Sequence, residues 1–206
     1  MNRKIGMYSS ALNAVSVFGF AIFLVFSFSF GAYVASMFIA YSFVPMIGAF
    51  GALSRGEVKS AAITANVFAG IYAAFILLVY FAQLTTLRNE VLTGQAATLL
   101  DVTTFGLFFN FNLLGYGLMS LSTFFIGLTV APISKASKVL RWLLMVHGIF
   151  AVSGFVMPIT GIFYSMDTAY IIGRFVQLFL SLFFAPVGVL SYVYFKDYSP
   201  DRSVDS

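Results

Sequence analysis

The sequence predicts an all-α integral membrane protein, a bundle of six transmembrane helices with both termini cytoplasmic. Three observations carry this. Of the 206 residues, 61% are hydrophobic and only 9% charged. A water-soluble domain has about a quarter of its residues charged, so most of this exterior must face lipid. The chain also divides into six apolar runs, each near or above the ~20 residues that cross a bilayer as a helix. Finally, nine of the eleven Lys and Arg residues fall on one side of six alternating spans, and this bias assigns that side to the cytoplasm.

The first span is expected near 7–30. Its apolar run exceeds the ~7–15 residues of a signal-peptide core, which reads as a retained helix. A tight turn around Gly31 leads to the second span, 32–53. The third is expected near 61–84, the fourth near 102–130, the fifth near 142–164 and the sixth near 168–195. Residues 1–198 thus form a single transmembrane domain, and the polar stretch 199–206, SPDRSVDS, reads as a disordered cytoplasmic tail.

Arg3 and Lys4 precede the first span, Arg55 and Lys59 separate the second and third, and Lys135, Lys138 and Arg141 separate the fourth and fifth. Lys196 and Arg202 follow the sixth. Arg88 and Arg174 alone fall on the other side, with Glu90, Asp101 and Asp167. Residues 85–101 form the longest external segment, and their Leu/Val/Ala spacing suggests a short interfacial helix.

Lipid supplies no hydrophobic drive between helices, so contacts rest on small residues and buried polar groups. Candidate packing faces are Ala32, Ser36 and Ala40; Ala62, Asn66, Gly70 and Ala74; and Gly106, Asn110, Leu113, Gly117, Ser120 and Gly127. In the fifth span His147, Ala151 and Gly154 share a face, as do Arg174, Gln177, Ser181, Ala185 and Gly188 in the sixth. The phenylalanines are expected mainly toward lipid. Pro158 and Pro186 should kink their helices.

Arg174 is the anomaly, an arginine inside an apolar run. A helical side chain leans toward the N-terminus, so its guanidinium should reach the extracytoplasmic surface. There it can pair with Asp167, Glu90 or Asp101 as a clamp or gate, or present its planar fork to an anionic ligand. Gln177, Asn110, Gln83 and Tyr80 should share its depth and complete a ligand site. Asn110 is preferred to Asn112 because it lies on the glycine stripe. His147, the only histidine, reads as a structural polar contact.

All seven acids lie in loops or at span ends, so a buried carboxylate relay is not expected. With no cysteine and one histidine, neither a metal site nor a thiol nucleophile is expected, and no catalytic or cofactor motif occurs. The chain therefore reads as a non-enzyme without cofactors. The net charge of +4 belongs to the loops that set orientation and is no nucleic-acid signal.

Residues 115–154 read GYGLMSLSTFFIGLTVAPISKASKVLRWLLMVHGIFAVSG. This passage resembles the middle of a family of uncharacterised six-helix bacterial membrane proteins. There a glycine-rich span leads to a basic loop and to Arg-Trp-Leu opening a helix that continues with Gly, matched here by Arg141, Trp142, Leu143 and Gly148. The resemblance implies a fold but no activity.

Two readings result. The first is a binding or transport-type protein of a bacterial or archaeal cell membrane, taking a small, partly apolar or anionic ligand in an outward-facing cavity. Its size is similar to that of substrate-capture subunits of vitamin uptake systems, an analogy that brings a membrane-protein partner or a second copy of the chain. The second is a structural or regulatory membrane protein with no small-molecule ligand.

Overall fold

The computed structural model describes residues 1–54, 56–164 and 169–198. Arg55, Asp167 and the tail 199–206 lie outside the described residues. Among the described residues every regular element is helical.

Helix α1 (Asn2–Val25) begins ahead of the expected first span and ends in a left-handed closure. Ser27 has φ 57°, the Phe28 N–H donates to the Phe23 carbonyl at 2.8 Å, and the Ser27 N–H to that of Leu24 at 3.1 Å. This 6→1 and 5→2 pair satisfies the helix's orphan carbonyls. The turn therefore centres on Ser27 and not on Gly31. Gly31 lies inside α2 (Ser29–Leu53), where a Cβ would fall 2.5 Å from the Phe28 ring. The glycine admits that ring; it does not make the turn.

Helix α3 (Lys59–Leu84) follows, then the short helices α4 (Thr86–Asn89) and α5 (Gly94–Leu100), a 3-10 turn at Val102–Thr104, and α6 (Leu107–Gly127). Two more helices, α7 (Lys135–His147) and α8 (Phe150–Thr160), form one rod. Its start is set by Ser134 and Ser137, which cap each other's backbone N–H groups at 3.1 and 2.8 Å.

That rod breaks at Gly148 and Ile149, not at Pro158. There the ladder tightens to i→i−3 bonds, Gly148 to Met145 at 3.1 Å and Ile149 to Val146 at 3.0 Å. Pro158 lies within α8, which ends at Thr160 with Gly161 left-handed. Helix α9 (Ala169–Asp197) passes through Pro186 without interruption.

The rods run antiparallel in a closed ring. Helix α1 packs on α2, α2 on α3, α3 on α6, α6 on α7 and α8, and α7 on α9, which returns to α1. Facing pairs fix the directions. Phe195 lies over Gly6 and Gly188 meets Ala14. The Ser122 hydroxyl donates to the Ala65 carbonyl at 2.8 Å. The N-terminus of α1 and the C-terminus of α9 consequently share one end of the bundle, and residues 85–106 close the other.

Among the described residues, five stretches are long and apolar enough to cross a membrane: Asn2–Val25, Ser29–Leu53, Gly56–Asn89, Lys135–Thr160 and Gly173–Asp197. Helix α6 is 21 residues long, but Asn110, Asn112 and its Ser/Thr residues lower its hydropathy, and it is not among them. Polarity is distributed as lipid requires. Phe18, Phe38, Val67, Leu78, Val156 and Phe179 are exposed, while Asn13, Ser42, Asn112, Ser122 and His147 are buried.

Two packing expectations change. In α3 the buried line is Ala62, Ala65, Ala69, Ala73 and Ile76, while Gly70 and Ala74 are exposed. Strict four-residue spacing drifts off a face that repeats every 3.6 residues. Nor do all the phenylalanines face out. Phe43, Phe50, Phe184 and Phe195 are buried, joined with Tyr72 and Tyr194 through ring contacts.

Candidate functional site

The ring encloses two adjoining cavities. The mouth cavity, about 100 Å³, lies at the end closed by residues 85–106 and is lined by Ser27, Ser29, Tyr33, Tyr80, Thr103, Arg174 and Gln177 among apolar neighbours. The core cavity, about 110 Å³, is lined by Asn112, Tyr116, Ser120, His147, Ser153, Gln177 and Ser181, with Phe20, Phe109, Leu113, Met119, Phe150, Met157 and Phe184. Phe20, Phe109, Gly173 and Gln177 line both. By the same measure ~10–15 Å³ holds one water, so either cavity has room for a small molecule.

Three of the expected ligand residues meet here. Arg174 and Tyr80 line the mouth, and Gln177 stands where the cavities join. The Tyr80 hydroxyl sits beside those of Ser36 and Tyr116, and its ring lies 5.4 Å from that of Tyr33. Aromatic hydroxyls from α2, α3 and α6 thus form one polar seam.

Arg174 has a structural task. Its Nη2 donates to the Leu24 carbonyl and, at 3.0 Å, to the Ser27 hydroxyl, holding the last turn of α1. At the opposite end the relation is reversed. Arg3 of α1 donates through Nε to the Phe195 carbonyl at 2.8 Å and through Nη2 to that of Lys196, closing α9. Each helix of this antiparallel pair carries an arginine that caps the carbonyl end of the other, where orphan acceptors and the negative end of the helix dipole coincide.

Gln83 does not line either cavity. Its Nε2 donates to the Leu100 carbonyl at 2.8 Å, and its Oε1 accepts from the Val102 N–H at 3.4 Å. It pins the segment that follows α5 to α3. Asp101 caps the 3-10 turn, its Oδ1 accepting from the Thr103 N–H and hydroxyl, both at 2.8 Å. Glu90 is exposed, and Arg88 lies 4.7 Å from the centre of the Phe30 ring. Replacing Gln83 with leucine is expected to cost about 1 kcal/mol, because two half-buried backbone groups lose their partners. Protease cleavage within 85–101 should accelerate, read by gel against wild type.

Asn110 is half-buried and lines neither cavity, whereas Asn112 is 2% exposed and lines the core. The glycine stripe that favoured Asn110 faces α8: Gly117 lies against Gly154. The adjacent face, Phe109, Asn112, Tyr116 and Met119, looks inward at helical spacing. That second periodicity was available in the sequence and finds both Asn112 and Tyr116. His147 also lines the core cavity, held through Nδ1 to the Thr123 hydroxyl at 2.8 Å.

The class these features define is a helical bundle with a lipid-type exterior and a polar-studded, mostly apolar interior cavity. No family model matches the chain, and no curated protein or solved structure matches it either.

Proposed function

We propose that the chain is a six-span protein of a bacterial or archaeal cell membrane that binds a small, partly apolar molecule entering from the extracytoplasmic side. The observation that carries this is the pair of cavities joined at Gln177, inside a ring to which all the long helices contribute. A mostly apolar pocket with a few convergent polar groups is the usual form of a small-molecule site. Helix α6 counts as the sixth span, since its asparagines face protein where lipid would penalise them. Seven described basic residues, Arg3, Lys4, Lys59, Lys135, Lys138, Arg141 and Lys196, belong to the end that holds both termini, which supports a cytoplasmic assignment for it. With Arg174 engaged on α1, the apolar character of the ligand weighs more than an anionic one.

The test is extraction of co-purifying small molecules from gently solubilised protein, comparing wild type with Gly173→Leu. Gly173 lines both cavities and a Cβ there meets nothing within 4 Å, so a leucine side chain starts from open space. A molecule retained by wild type and lost by the variant supports the reading. The second reading, a bundle with no ligand, draws on Arg174 and Gln83 both serving backbone groups. It gains if nothing ever co-purifies.

Orientation is tested separately. The chain has no native cysteine, so exposed positions report cleanly. Thr93→Cys should react with a membrane-impermeant thiol reagent from outside intact cells, and Ser60→Cys only after permeabilisation. The reverse pattern inverts the topology.

A further inference from the structure

We infer that the core cavity selects an uncharged, compact apolar molecule, of one or two fused rings, carrying a hydrogen-bond donor that the Asn112 side chain receives. This rests on the binding function proposed above and specifies its ligand.

Asn112 carries the argument. It is 2% exposed, it lines the cavity, and its Oδ1 is buried with no hydrogen-bond partner. A buried amide oxygen left unpaired is costly, and a ligand donor in the adjoining space removes that cost. The neighbouring hydroxyls are already engaged: Ser120 donates to the Tyr116 carbonyl at 2.9 Å, Ser153 to Phe150 at 2.9 Å and Ser181 to Gln177 at 2.7 Å. Those hydroxyls keep lone pairs that can also accept, but among the described lining residues the Asn112 Oδ1 is the buried oxygen with no partner at all.

Charge is excluded by the walls. Among the described residues, the core lining holds no Asp, Glu, Lys or Arg, and an ion there would lie unpaired in a low-dielectric interior. Size comes from volume. A void of roughly 150 Å³ accepts benzene, more than the core's about 110 Å³, so a ring seated against Asn112 extends past Gln177 into the mouth, about 100 Å³, whose Arg174 is already engaged on Leu24 and Ser27. Phe109, Phe150 and Phe184 supply ring faces.

The test uses indole and indene, the same bicycle with CH₂ in place of N–H, in equilibrium dialysis against protein in lipid nanodiscs, with empty discs subtracted. Indole should bind saturably and indene about tenfold more weakly, the effect of one hydrogen bond. Asn112→Leu should reduce indole to the indene level and leave indene unchanged. Gly173→Leu should abolish both, and indole-3-carboxylate should not bind. Equal binding of indole and indene to wild type overturns the donor requirement, and needs no variant to fold. So does indole binding that survives Asn112→Leu. Saturable carboxylate binding lost in Gly173→Leu overturns this ligand chemistry while the binding function stands. If neither bicycle binds and no co-purifying molecule is displaced by Gly173→Leu, both fall.

Discussion

Replacing Gly154 with valine is expected to destabilise the bundle by about 3 kcal/mol, at the upper end of the ~1–3 kcal/mol typical of overpacking. A Cβ at Gly154 would lie 2.8 Å from the Gly117 Cα, and 3.0 Å from both the Gly117 nitrogen and the Leu113 carbonyl oxygen. All three are backbone atoms, so no side-chain rotation relieves the contact and α6 must part from α8. Without a hydrophobic drive between helices in lipid, lost van der Waals contact is not regained elsewhere. Thermal unfolding in detergent reads the effect, and Gly154→Ala should fall between valine and wild type. Gly173→Ala is the matched control. Its Cβ meets nothing, so the change should be neutral or stabilising by up to ~1 kcal/mol through helix propensity. A Gly154→Val protein as stable as wild type would mean that α6 and α8 do not touch at this point.

Arg174→Ala should cost about 1.5–3 kcal/mol, the range for hydrogen bonds from a charged donor. The variant leaves the Leu24 carbonyl and Ser27 without their guanidinium partner. The local signature is faster amide exchange across residues 22–28, where the left-handed closure of α1 loses its support. Arg3→Ala should cost less, because Arg3 is exposed and water partly screens its bonds to the end of α9. The two arginines act at opposite ends of the helix pair, so the double variant should be additive. Arg174→Lys keeps the charge but not the fork, and should restore part of the loss. If Arg174→Ala instead keeps wild-type stability and loses a bound molecule, the arginine belongs to the ligand and not to the scaffold.

Arg174 shows how far sequence alone reaches. Its depth and its lean toward the loop end follow from helical geometry, and it does line a cavity there. The engaged partner is less legible, because a helix carbonyl has no identity in the sequence. The acids Asp101 and Glu90 advertise charge, whereas the acceptor at Leu24 arises from where α1 ends. Gln83 repeats the lesson, its two partners being the backbone of Leu100 and Val102.

Asn110 and Asn112 show a different limit. Both lie on one helix, and choosing between them needs to know which neighbour takes the glycine face. Gly117 and Gly154 approach each other because neither has a side chain, which assigns that face to α8 and turns Asn112 inward. His147 was read as a structural contact, and its bond to Thr123 agrees with that. Its place on the cavity wall depends on α7, α8 and α9 converging.

The sequence by itself determined what composition and periodicity encode: an all-helical chain, long apolar stretches, a short helix within 85–101, and basic residues gathered toward one end of the bundle. These are local properties, legible because burial in lipid acts on each helix separately. Only the tertiary structure decided the closed ring, the reciprocal arginine caps, the break at Gly148 and the two joined cavities. Each depends on which surfaces of distant segments meet, and small-residue packing between helices is specified by shape and not by hydropathy.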